Sequence, residues 1–341
     1  MIIEQQDLAQ AAVEEFVAAT PGGKIYHLPA IQKVIQQTFG HKPVYLVARD
    51  GGTLRGVLPL THMKSRLFGN FLISVPFFNY GGVCSEDEDA RRLLLEKAID
   101  IAQQLRVSHI ELRHDRILYP ELQQKSHKVA MVLQLPDDAE TLWKSFKSKL
   151  RSQVRRPEKD GVEVKIGRVE LVGEFYSVFA ENMRDLGTPV YSRRLFENML
   201  RTFPDSSWLV IAHRDGEALA AGFLLGYGDM LEIPWASSLR RFNRLAPNML
   251  MYWHALKHAV EQGYKKFDFG RSTPGEGTYK FKAQWGAQPV ELHWEYWMAD
   301  GKPLPDLSPK NAKFDAAIRI WQKIPVPVTR VIGPPIVRNI P

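Results

Sequence analysis

The chain has almost no cysteine. Cys84 is the single thiol in 341 residues, so no intrachain disulfide can hold the fold, and a hydrophobic core has to. Nowhere do apolar residues run for the length of about 18 that spans a bilayer. The first residues, MIIEQQDLAQAAVEEF, are acidic and lack a basic start followed by an apolar stretch. No secretory leader is therefore expected, and a cytoplasmic protein is. A metal site is also missing its ligands. His254 and His258 lie four apart on an expected helix with Glu261 after them, but a third clear ligand or a His-Glu-x-x-His arrangement is absent, so a structural role is expected and no metal. No nucleophile elbow and no reactive cysteine setting occur, which disfavours a covalent acyl-enzyme.

What is present is ordinary for a globular protein, with 45% hydrophobic and 24% charged residues. The length exceeds one typical core and suits two domains. A net charge of +7 and a pI of about 9.3 make phosphorylated ligands, nucleic acid and anionic membranes compatible partners. The basic residues are not interleaved with aromatics in the RNA-reading manner, so sequence-specific nucleic-acid recognition is not expected.

Tyr26–Arg113 and Tyr191–Arg271 follow one plan. Each opens with a helix ending at Phe39 or Phe203. Then come LVARDGGTLRGVLPL and LVIAHRDGEALAAGFLL, in which Asp-Gly separates two apolar runs, a hairpin signal because such pairs supply positive φ. The segments FLISVPFF and MLEIPWASS follow, then long helices over Asp89–Arg106 and Asn248–Gln262, then HIELRH and KFDFGR. The repeat is too long for a solenoid and implies a duplicated domain. The copies differ at the start of the long helix. In the second, Pro247 suits the first helical position, and Arg240, Arg241 and Arg244 stand just upstream, so the start near Asn248 favours an anion. In the first, Glu86, Asp87, Glu88 and Asp89 would repel one. Between the copies, Leu133–Leu135 reads as a strand ending at Pro136. A helix opened by Asp137 and Asp138 carries Trp143, Phe146, Leu150 and Val154 on one stripe and a basic remainder, and Pro157 is expected to stop it.

The stretch Tyr264–Gly286, YKKFDFGRSTPGEGTYKFKAQWG, concentrates the candidate chemistry. Lys266–Gly270 alternates like a half-buried strand. A loop bearing Pro274, Gly275 and Gly277 follows, and then Tyr279, Phe281 and Trp285 interleave with Lys280, Lys282 and Gln284. By spacing alone this is equally a strand, a turn and a solvated amphipathic helix, or a rigid element aiming a ligand loop. The order FDFGRS, glycine loop, YKFKAQWG resembles the C-terminal signature of the FemAB/FemX-like transferases of the GNAT acyltransferase superfamily, over most of Leu142–Met298.

The resemblance implies an α/β (α+β) fold of two tandem GNAT-like domains, each a mixed, mostly antiparallel sheet flanked by helices. The expected boundaries are 1–135 and 136–300, with a basic, proline-rich tail at 301–341. It also implies acyl or aminoacyl transfer to an amine of a cell-envelope or exopolysaccharide precursor. The Phe-Lys pair of FemX-type enzymes falls here on Phe281-Lys282, which makes Lys282 the catalytic candidate. Arg271, Lys280, Tyr279, Trp235, Ser237, Arg244 and Asn248 are the substrate-binding candidates, with Trp235 expected to face the pocket; Asp268 is expected to pair with Arg271. GNAT enzymes hold a donor pyrophosphate at the helix start near Asn248 with a Gly-x-Gly loop, which SSLRRFNRLAPNML lacks, so ordinary coenzyme A binding does not follow from the resemblance. The donor is expected as a co-substrate, aminoacyl-tRNA or acyl-CoA, with no tightly bound cofactor. The partner is an anionic small molecule or lipid-linked precursor, with tRNA an option. Two alternatives stay open: an acyl-CoA-dependent N-acyltransferase on a soluble amine or amino sugar, and a non-catalytic binder of anionic lipid-linked sugars.

The tail offers a short helix with Phe314, Ile318 and Trp321 on one stripe, then IPVPVTRVIGPPIVRNIP, where prolines are expected to exclude a continuous helix. Lys310, Lys313, Arg319, Lys323, Arg330 and Arg338 make it basic. It is expected either to pack on the body or to rest peripherally on an anionic membrane, at the inner face of which the protein would then sit.

Overall fold

The computed structural model describes residues 1–5, 11–125, 127–301 and 315–341. From the N-terminus the elements are β1 (Ile2–Gln5), α1 (Ala11–Ala19), α2 (Pro29–Phe39), β2 (Lys42–Asp50), β3 (Thr53–Ser65), β4 (Gly69–Ile73), α3 (Glu88–Gln104), β5 (His109–His114) and β6 (Gln123–Lys125). Next come β7 (Val129–Gln134), α4 (Ala139–Ser145), α5 (Ser148–Lys159), β8 (Glu163–Gly167), α6 (Val172–Leu186), α7 (Arg193–Thr202), β9 (Ser207–Arg214) and β10 (Glu217–Tyr227). The remainder is β11 (Met230–Ser238), α8 (Pro247–Glu261), β12 (Lys266–Ser272), α9 (Gly277–Ala283), β13 (Gln288–Glu291), β14 (His293–Met298), α10 (Asp315–Trp321) and α11 (Val326–Val337).

These elements form two seven-stranded sheets of matching plan, β1-β2-β3-β4-β5-β14-β6 and β8-β9-β10-β11-β12-β7-β13. In each, one central pair is parallel, β4 with β5 and β11 with β12. The hairpins beside it are antiparallel. The duplicated, mixed and mostly antiparallel architecture read from the sequence is thus present. Both hairpins turn through two residues of positive φ: Gly51 (53°) and Gly52 (86°) in the first, Asp215 (51°) and Gly216 (79°) in the second. In the first copy the turn is therefore Gly-Gly, with Asp50 ending the strand opposite Thr53.

The cores follow from the apolar faces of the two long helices. α3 lays Ala90, Leu94, Ala98 and Ala102 against Leu46, Leu58, Leu72 and Ile110. α8 lays Leu250, Met251, Ala255 and Ala259 against Val210, Leu224, Ile233 and Phe267. The opposite face of the second sheet is covered by α6 and α7, where Phe175, Phe179 and Phe196 interlock with Phe223.

The division of the chain departs from the boundary expected at 135/136. One compact unit comprises residues 1–128, 291–306 and 338–341, the other 129–290 and 307–337. β7, which precedes that boundary, pairs with β12 in the second sheet, while β14 lies between β5 and β6 in the first. Trp294 and Trp297 consequently belong to the first unit. Each fifth strand takes a partner distant in sequence, and that long-range pairing, not the local pattern of β7 or β14, sets the boundary.

Three local expectations also change. The helix after Asp138 breaks at Phe146, whose extended backbone turns its ring edge-on to Trp285 at 5.4 Å. α5 continues through Pro157 to Lys159, because a missing N–H in the last turn removes one bond only and the Pro157 carbonyl still accepts Val162 N–H at 2.9 Å. The tail prolines do not prevent α11. Pro327 sits in its first turn, where N–H groups have no intrahelical partner, and Pro334 and Pro335 sit near its end. Lys310, Lys313 and Phe314 lie outside the described residues.

Candidate active site

β11 and β12 stay paired only over Met230–Glu232 and Lys266–Asp268. Beyond that, β11 keeps its ladder with β10 as far as Ser238. β12 shifts register between Asp268 and Arg271 and follows β7 instead. Two strands drawn apart by their outer neighbours leave a wedge in the sheet. A cavity of about 300 Å³ occupies it, walled by Ala236, Ser237 and Ser238 of β11, Asn248, Met251 and Tyr252 of α8, and Phe281 and Lys282 of α9, with Asn182 of α6 and Gly277 and Thr278 completing the lining.

Lys282 is the charged group in that lining. Its side chain is 8% exposed. Nζ donates to the carbonyls of Gly270 at 2.9 Å and Arg271 at 3.1 Å, so two of its three N–H directions are held by the end of β12. Burial lowers its pKa to about 8, partly offset by the nearby Asp268 carboxylate, with Arg271 lowering it further. The receiving carbonyl is itself fixed. Gly270 has φ 78°, a left-handed conformation that suits glycine, and its N–H donates to Asp268 Oδ1 at 2.7 Å. Asp268 is fully buried and shapes the bulge, a role the sequence does not disclose.

Hydroxyl and amide groups line the strand side. Asn182 Nδ2 donates to Ser237 Oγ at 3.1 Å. The buried Ser238 hydroxyl meets no partner among the described residues, so a ligand group can complete it. Burial pushes the Tyr252 phenol well above its ordinary range, leaving a neutral hydroxyl rather than a base.

Of the residues singled out in the sequence, Lys282, Ser237 and Asn248 meet at this cavity. Arg271, Lys280 and Arg244 are exposed, and Tyr279 is half-buried against the core edge. Trp235 is turned into the α7 side, edge-on to Phe196 at 5.2 Å and Phe223 at 5.4 Å. Its ring is taken up by the aromatic layer under α6 and α7, while Ser237, two residues further along the same face, reaches the cavity. Asn182 could not be found by spacing, because it reaches Ser237 from 55 positions away. His258 packs edge-on to Trp208 at 4.9 Å, and burial lowers the pKa of both His254 and His258.

The two long-helix starts differ as the charge pattern implies. Asp87 caps α3, its carboxylate accepting Ala90 N–H at 2.9 Å. α8 has no side-chain cap: Ala246 precedes it in a left-handed conformation, and Pro247 opens it. Arg241 is engaged by Glu217 at 2.7 Å and by Glu181.

Comparison with known proteins places this geometry. Residues 144–283 match the acetyltransferase (GNAT) domain family. The fold is similar to that of FemX, with a TM-score of 0.64 at 16% identity over 86% of this chain and 97% of that one. It is also similar to the structure of L-PGS from Bacillus licheniformis, TM-score 0.58 at 14% identity over 96% and 98% of the two chains. A tandem GNAT protein from the clavulanic acid biosynthesis pathway aligns with a TM-score of 0.54 at 10% identity, over 89% of this chain and 99% of that one. These likenesses define the architecture as a tandem GNAT fold. In sequence, the chain is 25% identical over 173 residues to a UDP-N-acetylmuramoylpentapeptide-lysine N(6)-alanyltransferase of Weissella viridescens, covering 49% of this chain and 51% of that protein. The chain thus spans about half the length of the curated relative it matches. The motif around Phe281-Lys282, the domain match over residues 144–283 and the fold are thus each similar to FemX-like proteins of GNAT fold.

Proposed function

We propose that this protein transfers an acyl or aminoacyl group to an amine of a cell-envelope or exopolysaccharide precursor, forming an amide. The observation that carries the reading is a buried lysine held by two carbonyls at the wall of a wedge between splayed parallel strands. In the reaction the amine nitrogen attacks the carbonyl carbon of an ester or thioester. The C–N bond forms, the C–O or C–S bond breaks, the amine loses a proton, and the alcohol or thiol leaves with one. No protein nucleophile is needed, so positioning supplies much of the acceleration. The remaining N–H of Lys282 is suited to the negative charge that grows on the carbonyl oxygen. The hydroxyls of Ser237 and Ser238 and the amide of Asn248 are suited to orienting the acyl group. A cavity of about 300 Å³ fits a small aminoacyl or short acyl group.

The donor is aminoacyl-tRNA or acyl-CoA. Its anionic part is assigned to the uncapped start of α8 beside Arg244. The test presents the purified protein with alanyl-tRNA or acetyl-CoA and with a UDP-linked muramyl peptide bearing a free lysine amine. Mass spectrometry then follows the peptide. A mass increase matching the donor's acyl group is expected from one donor. Ligand retention without a mass increase from either would select a binding protein and overturn the reading.

The helix starts make a paired prediction. Arg244→Glu is expected to weaken donor binding by about tenfold, the effect of reversing one charge near an anion. Asp87→Lys is expected to leave binding unchanged while costing about 1 kcal/mol of stability through the lost cap. Isothermal titration and thermal melts read both. Donor binding that responds to Asp87→Lys alone would move the anion site to the first unit.

A further inference from the structure

The C-terminal helices have two unlike faces, and the inner one is accounted for. Trp321, Thr329, Gly333 and Val337 are buried. The last three recur at i, i+4 and i+8 and lie on one side of α11. Gly333 meets the Val190 backbone so closely that a Cβ would stand 2.9 Å from its nitrogen. Gln322 donates to the Asp185 carbonyl at 3.0 Å and Arg184 to the Ile324 carbonyl at 3.3 Å, which pins α10 and the turn after it. Packing on the body, one of the two fates expected of the tail, is met by this face. Trp321 belongs to it and is not available to an interface.

The outer face is the anomaly. Val328, Val331, Ile332 and Pro335 follow the i, i+3, i+4, i+7 pattern of a single helix face, and all four are exposed, Val331 at 73%. Ile320 of α10 is 65% exposed. A surface helix ordinarily turns charge outward, whereas this one is apolar on both sides, with polar residues few between them. The charges on these two helices are mostly basic. From Asp315 to Val337 the sequence carries Arg319, Lys323 and Arg330 against one acidic residue, Asp315 at the start of α10. Arg319 and Lys323 are exposed. Arg330 is half-buried, its guanidinium over the Tyr176 ring at 5.6 Å, so it belongs to the inner contact.

We infer that the outer face of α10 and α11 is an interfacial membrane-binding surface that rests on anionic phospholipid. The valines, isoleucines and proline enter the headgroup–acyl boundary, and Arg319 and Lys323 meet lipid phosphates. The basic excess of this face is what decides for anionic lipid over a second copy of this chain, because self-pairing would set two net-basic surfaces against each other whereas lipid phosphates neutralise them. The inference stands apart from the transferase reading, because it uses none of the residues of the cavity.

The test is sedimentation of the full chain with vesicles of mixed phosphatidylglycerol and phosphatidylcholine, and with vesicles of phosphatidylcholine alone. The full chain is expected to pellet with the anionic vesicles at low salt and to be released at high salt. Val331→Glu is expected to lower the partition coefficient at least tenfold without moving the melting temperature, since the side chain is exposed. Arg319→Glu combined with Lys323→Glu is expected to abolish the preference for anionic over neutral vesicles. Equal pelleting of wild type and Val331→Glu overturns the inference, as does absence of binding to either vesicle. Light scattering on the same proteins completes it: a dimer that Val331→Glu dissociates would assign the face to a second copy instead.

Discussion

Lys282→Met is expected to lower turnover ten- to a thousandfold while the protein stays folded. The range is that known for the loss of one preorganised donor aimed at a developing charge. Methionine keeps the length and apolar stem of the lysine, so the buried site is not left as a cavity. What disappears is the ammonium and its bonds to the carbonyls of Gly270 and Arg271. Arg271 is exposed and water can reach its carbonyl, whereas the Gly270 carbonyl is buried and loses its donor, so a loss of about 1–3 kcal/mol of stability is expected. Donor binding should change only a few-fold, because the effect belongs to the transition state. The pH profile gives an independent reading. With a pKa lowered to about 8 by burial, the cation that stabilises charge is present below that value and lost above it. Turnover governed by Lys282 is therefore expected to fall as pH rises through about 8, and this limb should vanish in Lys282→Met. A rate that climbs through the same window and loses that climb in the variant would make the neutral amine the active form, and a general base would replace the charge stabiliser. Unchanged turnover in a folded Lys282→Met protein would remove the residue from the mechanism.

Glu295→Ala is expected to destabilise the first unit by about 3–5 kcal/mol, the cost of leaving three buried N–H donors without their acceptor. Glu295 is fully buried on β14. Its carboxylate accepts Tyr119 N–H at 2.7 Å and Leu118 N–H at 3.2 Å, and lies 2.6 Å from His114 Nδ1. His114 Nε2 accepts Val83 N–H at 2.8 Å, which leaves Nδ1 to donate to Glu295. One side chain near the end of the chain thus closes the loop after β5 and orients a histidine that holds the loop before α3. Alanine strands two backbone N–H groups and an imidazole away from water. Hydrogen exchange should show protection lost first in β5, β6 and β14, with α8 and β10 of the other unit unaffected. A melting shift equivalent to less than about 1 kcal/mol would mean that the cluster is solvated and does not hold β14 in place.

The elements themselves were legible because their causes are local. Asp-Gly and Gly-Gly turns, the apolar stripes of α3 and α8, and the alternation of β5 and β12 each depend on residues a few positions apart. Lys282 was legible through the pattern around it, the Phe-Lys pair after a glycine loop. Asn248 and Ser237 were legible as the ends of a helix and a strand that the repeated plan sets side by side. The prolines misled for a physical reason. Their penalty falls on a missing N–H, and at Pro327, in the first turn, that group has no intrahelical partner to lose.

By itself, then, the amino-acid sequence determined the duplication and the kinds and order of elements, because these follow from propensity, period and charge within short windows; the catalytic candidate rested on the resemblance of Phe281-Lys282 to the FemX-type pair. Tertiary structure alone decided which strand completes which sheet, since the choice rests on long-range pairing. It decided the wedge as well, which exists because β10 and β7 draw β11 and β12 apart. It turned Trp235 away from the cavity and brought Asn182 to it. Contacts over tens of residues carry no local signature. Their energy appears only when the chain has closed on itself, and the burial that lowers the Lys282 pKa appears with it.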